Sequence, residues 1–215
     1  VLLQADTAPI TPYRVIGESG LQTRLEAAVR KGLTPYTGRH IELEALAAQL
    51  SEADAGRGQV LLIVGDAGVG KSRLLYEFLE RIDTARMRVV QARCRSYGGF
   101  APYSPFVEVL REILHLETNV DVEGMAGRIR AIDASLEAFV PLYLHLLSVQ
   151  SDVYPMPRHL RAEHLQAAIG DALAALVTLA ARNRPTVLLL EDWHWSDEGS
   201  REALRRLVEV VSAHA

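Results

Sequence analysis

Cysteine is almost missing from this chain: Cys94 is the only one in 215 residues. Neither an internal disulfide nor a thiolate zinc site can be built from a single thiol, and such usage fits a reducing, intracellular compartment. Lysine is scarce beside arginine. The balance of charge is mildly acidic, −4 at neutral pH with an isoelectric point near 6.0, which removes any general electrostatic pull toward nucleic acid. No run approaches the roughly 18 uncharged apolar residues that a membrane span needs, and the amino end lacks the basic-then-apolar layout of a secretory signal. The expectation is a soluble, cytoplasmic protein without a membrane partner. Seven histidines are scattered through the chain. His159 and His164 are five apart and share no helix face, and the HExxH arrangement is missing, so histidine-ligated metal is not expected.

What is present is a composition 49% hydrophobic and 23% charged, enough to bury a core in one or two domains. The organising stretch is Val60 to Leu75, VLLIVGDAGVGKSRLL. It reads as a buried strand (Val60 to Val64) running into Gly65-Asp66-Ala67-Gly68-Val69-Gly70-Lys71-Ser72-Arg73 and then an amphipathic helix, which is the strand, loop and helix context of the GxxxxGK[ST] phosphate loop. Glycines let successive backbone N–H groups point at phosphate oxygens, and the opening of the helix adds partial positive charge. Lys71 would reach the β- and γ-phosphates, and Ser72 would place its hydroxyl on Mg²⁺. The competing reading is a glycine-rich strand-to-helix turn without a ligand.

Residues 1–32 carry Pro9, Pro12, Gly17 and Gly20, a β-capable patch at Tyr13 to Ile16 and a helical pattern from Leu21 to Val29. This reads as a linker or the tail of a preceding domain. A turn at Pro35 to Gly38 and a helix bearing Ile41, Leu43, Leu46, Ala47 and Leu50 follow; so placed, they either wall off an adenine base or form a plain structural turn. Arg88 to Ala92 predicts a second strand. The loop from Arg95 to Pro105 holds Tyr97, Phe100 and Tyr103, which plug the loop onto the core or contact a base. Phe106 to Leu116, most of Val122 to Val153, and His159 to Asn183 have helical period, with Pro141 breaking or beginning a helix and a loop at Ser151 to Pro157.

Pro185 ends the long helix, and the apolar run Thr186 to Leu190 closes with Glu191-Asp192. Strands buried on both faces are typical of parallel sheets, and their carboxyl ends are where open α/β folds bind ligands. One acid would hold Mg²⁺ and the other would orient or deprotonate the attacking water. Neighbours on a regular strand point in opposite directions, so the two acids, both candidates for metal and for catalysis, do not share one job; order along the strand tip puts Glu191 on the metal side and Asp192 on the water side. The alternative is an acidic turn ahead of the helix Glu198 to Val211, for which Ser196 and Asp197 are suitable N-caps. Trp193 and Trp195 would pack that helix on the sheet, while His194 is either a γ-phosphate sensor or a packed histidine.

LTPYTGRHIELEAL (33–46), GQVLLIVGDAGVGKSRLLYEF (58–78) and RPTVLLLEDWHWSD (184–197), in this order, resemble the signal-transduction ATPases with numerous domains, the STAND class. The likeness is greatest to the AAA-like modules that bacteria attach to class III adenylate/guanylate cyclases, protein kinases or LuxR-type regulators. The resemblance covers residues 33–215. It implies a P-loop NTPase fold, a three-layer αβα parallel sheet with a large helical insertion, and an adenine end lined by Gly38 and Arg39, with His40 replacing the usual acid. Glu191 to Trp195 match an acidic strand end often written LEDLHW, with Trp193 in place of Leu.

Such modules act as switches, closed with ADP and open and self-associating with ATP, with slow hydrolysis resetting them. The resemblance thus implies ATP/ADP and Mg²⁺ as cofactors and ATPase activity in the intact parent. Its partners would be other domains of the same chain: a cyclase or kinase upstream, helical repeats or a DNA-binding domain downstream, or a second copy. A non-hydrolysing scaffold for protein partners is the alternative. In the family a further strand lies between the phosphate-loop strand and the acidic strand. By sequence order it would follow Ala215, so the chain is expected to be a fragment truncated at its carboxyl end, with unpaired strand edges.

Overall fold

The computed structural model describes residues 24–95, 102–117, 119, 121–158 and 160–213. The chain divides into two compact units, Val1–Gly38 and Arg39–Ala215. The first contributes helix α1 (Arg24–Lys31), with Glu26 in its first turn and Arg30 and Lys31 in its last, charges that complement the helix dipole. It stops at Gly32, whose φ of 89° ends the helix at no Cβ cost. The β-capable patch at Tyr13 to Ile16 lies outside the described residues.

The second unit runs α2 (His40–Asp54), α3 (Lys71–Leu79), β1 (Arg88–Arg93), α4 (Ser104–Ile113), α5 (Val122–Ile132), a 3-10 turn (Ala134–Phe139), α6 (Val140–Leu146), α7 (Ala162–Asn183), β2 (Thr186–Glu191), a second 3-10 turn (Trp193–Trp195) and α8 (Glu198–Ser212). β1 and β2 pair in parallel, in register from Arg88 beside Thr186 to Arg93 beside Glu191. Parallel neighbours need a long crossover, and α4 to α7 supply it. Val90 and Ala92 are buried while Gln91 between them is exposed. The period-2 alternation therefore sets one face of the sheet against α4 and leaves the other more open.

The core is helical. Ile169, Leu173, Leu176 and Ala180 fall on one face of α7 and are essentially inaccessible, packed among Phe106 and Leu110 of α4, Ile129 of α5, Tyr143 of α6 and Leu207 of α8. Tyr143 is buried with its hydroxyl donating to the Ala172 carbonyl at 2.8 Å, which removes the cost of an unpaired polar group there. α7 is, among the described residues, the one helix long and apolar enough to cross a membrane by length and composition. Its buried face accounts for that hydropathy, and Asp171 ties it to Arg206 of α8 at 2.5 Å. Pro141 lies in the first turn of α6, where its missing N–H costs nothing, so it begins a helix instead of breaking one.

Two expectations about strands need correction. Residues 60–64 have no strand pairing, and Val60, Leu61, Leu62 and Val64 are 53%, 47%, 84% and 81% exposed. A strand is held by its ladder partner, and β1 and β2 pair only with each other, so this apolar segment has nothing to bond among the described residues. For the same reason β2 is half-buried along its whole length, not buried on both faces. Among the described residues the sheet has two strands where three were expected. Residue 58 lies against α8: a Cβ built on Gly58 would stand 2.6 Å from Val211 Cγ1 and 2.8 Å from the Val211 carbonyl oxygen. Gly58→Ala is expected to cost about 1–3 kcal/mol in urea unfolding. Trimming Val211 to alanine should recover only part, because the backbone contact remains.

Candidate functional site

The loop between residue 64 and α3 has the backbone that its glycines permit. Gly68 and Gly70 sit at φ 82° and 90°, in the region L-residues avoid. Gly70 occupies the N-cap position of α3, where no side chain caps the helix. The first-turn N–H groups of Lys71 and Ser72 therefore lack both an intrahelical acceptor and a capping side chain. Inside the loop the Lys71 ammonium donates to the carbonyls of Gly65 at 2.7 Å and Asp66 at 2.9 Å. Gly65, Asp66, Ala67, Gly68, Val69 and Ser72 are exposed, while Gly70, Lys71 and Arg73 are half-buried. Arg73 pairs with Glu77 one turn along at 2.7 Å. A Cβ on Gly70 would meet nothing within 4 Å, so Gly70→Ala should cost conformational strain alone, about 1 kcal/mol. It should also weaken nucleotide binding measurably in a fluorescent-ATP titration.

Arg39 reaches this loop. It takes a left-handed backbone, φ 54°, at the N-cap of α2, and its guanidinium donates to the Val69 carbonyl. Gly38 before it has φ 81°. α2 and α3 pack on one another, and their buried residues Leu43, Leu46, Leu74 and Phe78 lie outside the main core cluster. The GR turn is thus attached to the phosphate loop by a hydrogen bond that spacing in the sequence did not reveal.

At the carboxyl end of the sheet, the parallel register sets Arg93 directly beside Glu191, and the two form an ion pair with side chains 26% and 17% exposed. Asp192 leaves the strand: its φ of 55° turns the chain. Its carboxylate comes within 3.5 Å of Arg93 Nε. The opposed directions expected of strand neighbours do not apply, because Asp192 is no longer on the strand. Both acids approach one guanidinium. Glu108 of α4 accepts from the Arg93 backbone N–H at 3.1 Å and pairs with Arg95 at 3.6 Å, fixing the end of β1. The cap of α8 is Asp197, which accepts from Ser200 N at 2.9 Å and contributes about 1 kcal/mol. Glu191 and Asp192 are therefore not the helix cap.

The aromatics divide. Trp193 packs on the core with its ring edge-on to Phe106 at 6.3 Å, whereas Trp195 is 54% exposed and its ring lies tilted against that of an exposed His194 at 5.0 Å. Tyr103 packs on the core, with its ring against Gly199 and its N–H donating to Asp197 at 3.2 Å. Tyr97 and Phe100 lie outside the described residues. Cys94 is buried, and burial together with Asp197, Asp192 and Glu108 pushes its thiol up to about 11, so at neutral pH it is a protonated, inert packing group.

Two clusters result: Arg39 with the loop of residues 65–73, and Arg93 with Glu191 and Asp192. Among the described residues no hydrogen bond or ion pair joins Lys71 or Ser72 to the two acids. The loop suits an oxyanion, since uncapped amides open α3 and the Lys71 ammonium folds back over the loop, whose one carboxylate residue, Asp66, is exposed. No group of three or more His, Cys, Asp or Glu side chains that could hold a metal ion occurs among the described residues. A magnesium ion carried in on phosphate oxygens needs no such cage, only a hydroxyl and one or two acids.

Comparison with known proteins agrees with the loop. The family model described as an AAA ATPase domain matches residues 35–214. An uncharacterized protein of Rhizobium meliloti (strain 1021) is 29% identical over 98% of this chain and 20% of its own length. A hybrid signal transduction histidine kinase of Dictyostelium discoideum is 22% identical over 80% of this chain and 5% of its own. The chain thus spans a fifth or less of these relatives. No solved structure matches it. With a phosphate loop opening an uncapped helix, a parallel sheet ending in paired acids and a family match across most of its length, the chain belongs to the AAA ATPase domain family, a P-loop α/β module.

Proposed function

We propose that this module is a cytoplasmic ATP-binding, slowly hydrolysing switch of the STAND class, working inside a larger signalling protein. The observation that carries this reading is the loop at 65–73, whose left-handed glycines, uncapped first turn and inward ammonium form an oxyanion cradle. The signal-transduction name of the Dictyostelium discoideum relative favours a regulatory setting over metabolic phosphoryl transfer.

In this reading the amides of residues 67–73 bind the triphosphate and Lys71 exchanges its bonds to the Gly65 and Asp66 carbonyls for phosphate oxygens. Arg39, already on the Val69 carbonyl, steadies the loop from the adenine side. Ser72 and Glu191 would hold magnesium, which supplies charge neutralisation on the phosphates. Asp192, half-exposed beyond the strand, orients water. A nucleotide shifts a conformational equilibrium only if it binds the two states unequally. Arg93 offers such a difference, because Glu191 and Asp192 cannot serve it and a metal ion alike. The helical segment between β1 and β2 would be the insertion that the resemblance implies.

Magnesium-dependent binding of labelled ATP to the complete parent protein tests the reading, and binding indifferent to magnesium would remove it. Asp192→Asn should keep nucleotide affinity within about threefold while turnover falls by about 10²-fold; unchanged turnover would assign the water to another residue. The second reading, a non-hydrolysing scaffold, is favoured by the Arg93 pairing of both acids, and it is the one supported if wild-type turnover is nil while ATP still binds.

A further inference from the structure

The amino end of the sheet, opposite the acids, holds a second concentration of charge. Arg88 opens β1 and Arg184 lies two residues before β2. The backbone interleaves them: Arg88 N–H donates to the Pro185 carbonyl at 2.7 Å, and Arg184 Nη2 donates to the Met87 carbonyl at 3.1 Å and to that of Thr84. These bonds bring both side chains to one corner of the sheet; burial first, and then the charge of Arg184, hold the Arg88 guanidinium below its ordinary value, with Glu112 acting the other way.

Two of their nitrogens are buried and unanswered: Arg88 Nη1 and Arg184 Nε have no hydrogen-bond partner. The Arg88 side chain forms no hydrogen bond or ion pair among the described residues. The nearby arginines are already engaged or lie on the rim: Arg86 pairs with Asp54 at 3.1 Å, and Arg182 lies within electrostatic reach of Asp133. Buried N–H donors are nearly always satisfied in native proteins, and two half-buried guanidiniums that each leave a buried nitrogen unanswered carry a cost. An arrangement of this kind is stable when something negative sits in it.

We propose that Arg88 and Arg184 form an anion site for a phosphate-class oxyanion, separate from the phosphate loop. Guanidinium groups match phosphate oxygens through paired N–H donors. A phosphate carrying between one and two negative charges at neutral pH balances two adjacent cations, which a single carboxylate does not. The site rests on these two side chains and does not depend on the ATPase reading.

The test uses the full chain in a Lys71→Ala background, so that the phosphate loop contributes little, with inorganic phosphate as the probe. Midpoints of thermal unfolding are compared in phosphate, acetate and chloride at equal ionic strength. Phosphate should raise the midpoint selectively, and Arg88→Gln should weaken phosphate affinity at least tenfold. In phosphate-free buffer Arg88→Gln should be no less stable than its parent, since it removes a repulsion and no partner. That crossing of stabilities distinguishes a ligand site from a structural role. Arg88→Lys, which keeps one charge without the fork, should show intermediate affinity and serves if the glutamine variant does not fold. Equal effects of the three anions, or a phosphate effect that survives Arg88→Gln, would overturn the proposal.

Discussion

Lys71→Ala should lower ATP affinity in the complete parent protein by at least tenfold, and more at low ionic strength. The Lys71 ammonium is turned into the loop, and its two acceptors are main-chain carbonyls of Gly65 and Asp66 at 2.7 and 2.9 Å. A loop carbonyl is a modest partner for a cation, whereas a triphosphate oxygen carries formal charge, and charge-assisted bonds are roughly twice as strong as neutral ones. A tenfold change corresponds to about 1.4 kcal/mol, well within what one such bond supplies. Fold stability should change little, because Lys71 is half-exposed and its hydrogen bonds run to carbonyls of its own loop. Lys71→Arg is the companion variant: it keeps the charge but not the point geometry, and should recover a minor part of the loss. Equal affinity of parent and Lys71→Ala in a labelled-ATP titration would detach the loop from nucleotide altogether.

How far the fold could be read ahead of the structure differs from one segment to another, and the reason is physical. The helical face of α7 was legible because Ile169, Leu173, Leu176 and Ala180 obey the helical period and the core takes up that whole face. The strands were legible as apolar runs, but pairing is a property of two segments. Nothing in VLLIV itself says whether a neighbour stands beside it, so residues 60–64 were read as buried and are found exposed and unpaired. The acidic pair was legible as a pair but not in geometry, since the left-handed turn at Asp192 breaks the strand rule used to separate the two roles. Arg93 was missed. Its signal was its distance from a strand end: six residues into a parallel partner, it must fall beside the last residue of β2, which a register argument from Val90 could have found. The Arg39 bond to the loop depends on two left-handed residues in succession and had no comparable sequence signal beyond Gly38.

Arg93→Met should destabilise the domain by about 1–3 kcal/mol in urea unfolding, an effect larger than an exposed ion pair would give. Arg93 and Glu191 are about three-quarters and four-fifths buried. Removing the guanidinium leaves the Glu191 carboxylate in a part-desolvated position with Asp192 alongside it, so the variant bears both a lost pair and a new like-charge contact. Glu191→Leu placed on top of Arg93→Met should return part of the stability, because the stranded charge goes with it; a double variant as weak as the single would mean that packing by the arginine stem, not its charge, was lost. The same substitution bears on the nucleotide. If Glu191 is a metal-side group, freeing it from Arg93 should lower the magnesium concentration needed for half-maximal ATP binding by at least threefold, while Lys71 still sets affinity at saturating magnesium. Destabilisation with no change in magnesium requirement would keep the ion pair as a strut of the two-stranded sheet and take Glu191 out of the metal site. The two readouts therefore separate what holds β1 to β2 from what serves the phosphates, which share one side chain.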